Sequence, residues 1–123
     1  MAKNLQFKIQ DDIAYITFNI NDEKVNKLSE KILIEFDNIL NKIQTNDKFK
    51  ALVISSAKKD IFIAGADINE IKEITSKKTA IKKVTEAHNI FFKLENLSIP
   101  TICLINGACL GGGLEFALSC RYR

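Results

Sequence analysis

Two short runs of small residues and one glutamate are the parts of this sequence whose types and spacing can do chemistry. The first run is Ala64-Gly65-Ala66, followed by Asp67. With almost no side-chain bulk, its backbone can approach a ligand closely. Asp67 and Glu70 have the spacing of a capping box, with Asp in place of Ser or Thr. Both acids therefore read first as caps. The functional part is then the backbone amide of Ala66, just ahead of a helix start, which can donate to an oxygen anion. The second run is Asn106-Gly107-Ala108-Cys109-Leu110-Gly111-Gly112-Gly113. Glycines entering a helix leave its first N–H groups open, where the helix dipole favours negative charge. Nucleotide loops do not fit: a Walker A motif needs Lys where Gly113 stands. A dinucleotide fingerprint starting at Gly107 needs Gly where Cys109 stands.

Glu115 lies three residues after Gly112, so on a helix the two share a face. Its neighbours Leu114, Phe116, Ala117 and Leu118 are apolar. Two readings stay open. It is a first-turn acid that complements the helix dipole, or a carboxylate beside an oxyanion donor that activates water. His88 has no Ser or Asp at triad spacing and reads as a partly buried structural histidine. Ser55, Ser56 and Ser119 lack the context of an esterase elbow. Cys103, Cys109 and Cys120 are odd in number, without CxxC spacing, in apolar or glycine-rich surroundings. They read as buried free thiols of a reducing compartment, not as a disulfide framework or metal cluster.

The elements that must position these groups follow from periodicity. Residues 5–9 and 13–18 alternate and suggest a hairpin around Asp11-Asp12. Apolar residues from 28 to 43 fall on one helical face, with Ser29 as N-cap and Asn46 near the stop. Residues 51–54 read as a buried strand. A second helix is expected from about residue 79 to 97, with Ile81, Val84, Phe91 and Leu94 toward the core. Pro100 closes it, residues 101–105 read as another strand buried on both faces, and a short helix runs near 112–119. The order β-β-α-β-α-α-β-α argues for an α/β architecture with parallel pairings.

Composition bounds the function class. The 123 residues are about one domain, 46% hydrophobic and 27% charged, with eight Phe available for a core. Net charge is +3, and Lys77, Lys78, Lys82 and Lys83 read as a solvated helix face. No aromatic-interleaved basic motif supports nucleic-acid binding. No stretch has signal-peptide or membrane-span length. The expected location is cytoplasmic, or the mitochondrial matrix in a eukaryote.

Residues 63–68 (Ile-Ala-Gly-Ala-Asp-Ile) and 105–115 (Ile-Asn-Gly-Ala-Cys-Leu-Gly-Gly-Gly-Leu-Glu) together resemble the paired signature of the crotonase superfamily. Lys24-Val25-Asn26-Lys27-Leu28-Ser29 resembles that family's early CoA-contacting loop. The stretches 109–115 and 119–123 look closest to the hydratase modules of multifunctional fatty-acid-oxidation α-subunits. The resemblance implies an α/β spiral of ββα units, of which residues 1–123 would be the N-terminal half. It implies hydration of a trans-2-enoyl-CoA to the 3-hydroxyacyl-CoA, with the amides of Ala66 and Gly112 binding the thioester oxygen. Glu115 would activate the water, and Lys24, Val25, Ala64, Asp67, Ile68 and Gly111 would contact the CoA ester.

The alternatives are an enoyl-CoA isomerase of the same superfamily, or a non-catalytic fragment that binds CoA esters or a partner. Hydration needs no cofactor, since CoA is part of the substrate; NAD enters only if a dehydrogenase module follows. The implied partners are the acyl-CoA thioester and a homo-oligomer or thiolase-containing complex. The family's second glutamate, which protonates C2, would lie past the position of Arg123. The chain ends as though in the first residues of a strand, so the 123 residues alone are expected to be inactive.

Overall fold

The structure is a computed structural model that describes residues 3–123. Its first half runs β1 (Leu5–Gln10), β2 (Ile13–Phe18), β3 (Lys27–Leu28), α1 (Glu30–Gln44), β4 (Ala51–Ser56) and β5 (Ile61–Ile63). Then follow β6 (Gly65–Ala66), α2 (Ile68–Lys72), α3 (Lys77–Glu95), β7 (Thr101–Cys103), β8 (Ala108–Cys109) and α4 (Gly112–Leu118).

The main sheet has the order β1-β2-β4-β7. β1 and β2 form the expected antiparallel hairpin, with Gln10 opposite Ile13. Asp11 and Asp12 turn it with φ of 52° and 62°, the conformation whose twist suits a two-residue hairpin. β4 then lies parallel on β2, and β7 parallel on β4. Each return is made by helices, as parallel pairing requires. Two small parallel pairs, β3 with β6 and β5 with β8, stand apart from this sheet. Tyr122 forms an isolated parallel bridge with Ile102 of β7.

Alternation on β2 turns Ala14, Ile16 and Phe18 inward, joined by Leu52 and Ile54 of β4. α1 lays Ile32, Phe36, Ile39, Leu40 and Ile43 over the same core. Phe116 of α4 plugs it: its ring centroid is 4.9 Å from Phe36, 5.5 Å from Phe18 and 6.0 Å from Phe91. Edge-on aromatic packing of this kind adds to plain area burial, by about 0.5–1.5 kcal/mol per pair. It fixes α4, the helix that carries Glu115.

Three expectations need correction. Leu28 belongs to β3 and not to the helix, because Ser29 is extended (φ −78°, ψ 163°) and caps α1 by accepting from the Ile32 N–H. Ile81 and Val84 are 56% and 52% exposed, and only Phe91 and Leu94 of α3 are buried. Periodicity identifies an apolar face but not whether anything packs against it. The strand at 101–105 ends at Cys103: the Leu104 N–H makes the last bond, to the Ile54 carbonyl, and Leu104 and Ile105 are exposed.

Candidate active site

Ala66 and Gly112 meet because the first turn of α4 packs directly on β5 and β6. A Cβ on Gly113 would stand 2.4 Å from the Ile63 carbonyl oxygen, so no larger residue permits this approach. Gly65 has φ 131°, which L-residues rarely adopt, and its own Cβ position is 3.3 Å from the Leu110 carbonyl oxygen. On the turn so placed, the Cβ position of Gly112 lies 3.6 Å from the Ala66 nitrogen and 3.8 Å from Glu115 Oε2. Both amide-bearing residues and the carboxylate therefore converge on one spot.

The amide supply at that spot follows from helix geometry. Gly112 opens α4, so its N–H has no acceptor one turn back within the helix. The next amides are used: Gly113 donates to Leu110, and both Leu114 and Glu115 donate to the Gly111 carbonyl. Ser29, Asp67 and Ser76 cap α1, α2 and α3 with side-chain oxygens, whereas the Gly111 N-cap of α4 has no side chain to offer.

The Ala64–Ala66 segment is held by Asn26, which the sequence placed in the candidate CoA-contacting loop but gave no role of its own. Asn26 is fully buried. Its Nδ2 donates to the Phe62 carbonyl and to Ser56 Oγ, both at 2.8 Å. Its Oδ1 accepts from the Ile20 N–H at 3.3 Å, and its backbone carbonyl accepts from the Ala64 N–H at 2.8 Å. Lys58 Nζ adds bonds to the carbonyls of Ile20 and Glu23 at 2.7 and 2.6 Å, fixing the loop that carries Lys24 and Val25. Beyond that resemblance, the sequence signal was Asn's capacity to donate and accept together, which has no periodicity.

A cavity of about 640 Å³ opens at the convergence point. Ala66, Gly112 and Glu115 line one end, and Leu33, Ile71 and Phe91 are among its apolar walls. That volume suits a small organic ligand. Two ion pairs tie α1 to α3 along its rim, Lys83 with Glu30 at 3.0 Å and Lys93 with Asp37. The hydrogen bond to the Glu30 carboxylate holds the Lys83 ammonium above its ordinary pKa.

Of the sequence-derived candidates, the cavity gathers Ala66, Asp67, Gly112 and Glu115; Lys24, Val25, Ala64, Ile68 and Gly111 do not line it. Lys24 is exposed and Val25 half-buried, Ile68 is 64% exposed, Ala64 is engaged by Asn26, and Gly111 is the α4 N-cap. Asp67 does cap α2, accepting from the Asn69 N–H at 2.9 Å. Glu70 does not complete the capping box. Its carboxylate accepts from the Glu30 N–H at 3.0 and 3.2 Å, a partner forty residues away in sequence. His88 is exposed, not partly buried, and lines the cavity with Glu115. Glu115 is exposed too, because Leu114 and Leu118 point outward while Phe116 and Ala117 go in. Cys103 and Cys120 are buried, but Cys109 is only half-buried; burial still pushes its thiol pKa up. Among the described residues, no helix is long and apolar enough to cross a membrane.

Comparison with known proteins gives consistent results. A family model described as Enoyl-CoA hydratase/isomerase matches residues 8–123. The fatty acid oxidation complex subunit alpha of Shewanella frigidimarina is 41% identical over 124 residues, covering 100% of this chain and 18% of that protein. Its counterpart in Idiomarina loihiensis is 36% identical, covering 98% of the chain and 17% of that protein. Among solved structures, an enoyl-CoA hydratase from Bacillus anthracis superposes with a TM-score of 0.89 at 29% identity, over 98% of this chain and 46% of that one. Pseudomonas aeruginosa DspI gives 0.85 at 28% identity, over 97% and 48%. The chain thus spans under a fifth of these curated relatives and under half of these structures.

Proposed function

Because the chain belongs to the enoyl-CoA hydratase/isomerase family, we propose that it carries the oxyanion and water-activating half of an enoyl-CoA hydratase site. The observation that carries this reading is the Gly112 Cβ position, 3.6 Å from the Ala66 nitrogen and 3.8 Å from Glu115 Oε2, at the end of one cavity. A thioester oxygen held between the Ala66 and Gly112 amides gains negative charge as water adds at C3 and the C2–carbonyl unit becomes enolate-like. Each donor so placed stabilises that state by about 3–4 kcal/mol. Glu115, on the same turn, takes the proton from the attacking water. Lys24, Val25, Ala64, Ile68 and Gly111, on the segments that flank the site, contact the CoA ester, together with Asp67, which caps α2 at the cavity wall. Hydration consumes no redox or metal cofactor, and CoA arrives as part of the substrate.

The reaction also needs a proton at C2, which a second acid must supply. In this reading that acid belongs to the remainder of a longer catalytic domain, and the full activity to the longer polypeptide. Two curated relatives are named as subunits of a fatty acid oxidation complex, which supports β-oxidation as the setting and a multi-subunit assembly as the context.

The test is Glu115→Gln in the polypeptide that carries the complete catalytic domain, assayed with crotonyl-CoA. The amide keeps the size but cannot serve as a base, so kcat should fall by about 10²–10⁴-fold with KM little changed. Near-normal turnover would remove Glu115 from the chemistry and leave it as a helix-dipole partner.

A further inference from the structure

The three cysteines do not behave alike. Cys103, at the end of β7, and Cys120, just after α4, are 1% and 2% exposed, and their Sγ atoms are 2.9 Å apart. A disulfide requires about 2.05 Å, so bond formation needs the sulfurs to close by only ~0.9 Å. The backbones that carry them are already locked in register. Cys103 N–H donates to the Tyr122 carbonyl and Tyr122 N–H to the Thr101 carbonyl, both at 2.9 Å. The Arg121 N–H donates to Thr101 Oγ1 at 2.8 Å. Cys109 is instead half-buried, and its Sγ donates to the Gly113 carbonyl.

We propose that Cys103 and Cys120 form a peroxide-responsive dithiol site that oxidises to an intramolecular disulfide, linking β7 to the end of the helix that carries Gly112 and Glu115. This goes beyond the hydratase reading and does not depend on it. One thiol, as its thiolate, attacks a hydrogen peroxide oxygen. The O–O bond breaks, water leaves after proton transfer, and a sulfenic acid remains. The second sulfur attacks the sulfenic sulfur: the S–S bond forms, the S–O bond breaks, and the hydroxyl leaves with the second thiol's proton as water. In sum, two thiols and one peroxide give one disulfide and two waters.

In the resting state the Cys120 thiol, first, and burial, second, hold the Cys103 thiol pKa well up. Few thiolates form at so buried a pair, so attack on peroxide is slow. Disulfide formation therefore calls for sustained rather than brief exposure to the oxidant.

The experiment exposes the folded protein to hydrogen peroxide, quenches it, and alkylates the remaining thiols in denaturant before peptide mass mapping. The expected result is loss of two of the three alkylatable thiols, a cross-linked peptide pair containing Cys103 and Cys120, and Cys109 still alkylated. Dithiothreitol should restore all three. A Cys109→Ser protein should give the same cross-link, which shows that Cys109 is not a relay. Detection of Cys109 in the disulfide, or over-oxidation of Cys103 and Cys120 without a cross-link, would overturn the proposal. So would full alkylation of both while Cys109 is oxidised.

Discussion

Gly113 has no room for even a methyl group, since its Cβ position falls 2.4 Å from backbone at Ile63. Gly113→Ala must therefore push α4 off β5. Overpacking of this kind typically costs about 1–3 kcal/mol, and chemical denaturation should show at least that loss. Unchanged stability would mean that the helix start and β5 are farther apart than described. Asn26 acts from the other side of the site. Asn26→Leu keeps the branched shape, slightly enlarged, but strands the Ile20 N–H, the Phe62 carbonyl and a bond to Ser56. A buried polar group left unpaired costs about 1–3 kcal/mol, so this variant should melt well below the wild type. A Lys24→Ala change, at an exposed side chain, should leave the melting temperature nearly unmoved. If the two variants melt alike, the Asn26 network does not organise the 64–66 segment.

At the scale of elements, α4 is the piece on which structure and site both depend. Phe116 anchors it among Phe18, Phe36 and Phe91. Truncation of a buried Phe costs about 3–5 kcal/mol. Phe116→Ala should thus lower stability by that order and also depress hydration in the full catalytic domain, because Gly112 and Glu115 ride on the same helix. Retained activity alongside the stability loss would uncouple packing from the site. The sequence made α1 readable through the spacing of Ile32, Phe36, Ile39 and Ile43 and through Ser29, since amphipathic period and local cap are both short-range signals. The hairpin was readable for the same reason. What stayed hidden was long-range. Glu70 found its partner at Glu30 rather than at its own helix end. Ile81 and Val84 carried the right period for burial, yet among the described residues both stay more than half exposed. The pairs β3–β6 and β5–β8, as short as two residues per strand, are below the length at which alternation can be recognised. In the site, the two small-residue turns were legible because glycine spacing reports close approach. Asn26 was not legible, since its partners are scattered from Ile20 to Phe62.

At the scale of the whole molecule, a single core joins sheet, α1, α3 and α4, yet several large apolar side chains remain outside it. Phe92 and Leu118 are 56% and 57% exposed and flank a shallow groove between α3 and α4. Exposed apolar surface of this kind promotes association. The 123-residue chain should therefore bind a hydrophobic dye and sediment with concentration-dependent mass, and Leu118→Lys should reduce both. A monomer that ignores the dye at all concentrations would argue that these side chains are individually solvated. The central claim concerns the point where β6, α4 and the cavity meet, and it is tested most directly on the thioester carbonyl itself. Isotope-edited infrared spectroscopy of crotonyl-CoA, labelled at the carbonyl carbon and bound to the complete catalytic domain, reads the polarisation of that bond. If the Ala66 and Gly112 amides both donate to the oxygen, the carbonyl stretch shifts to lower frequency than in free crotonyl-CoA. A bound carbonyl that absorbs at its free-solution frequency would contradict the oxyanion site.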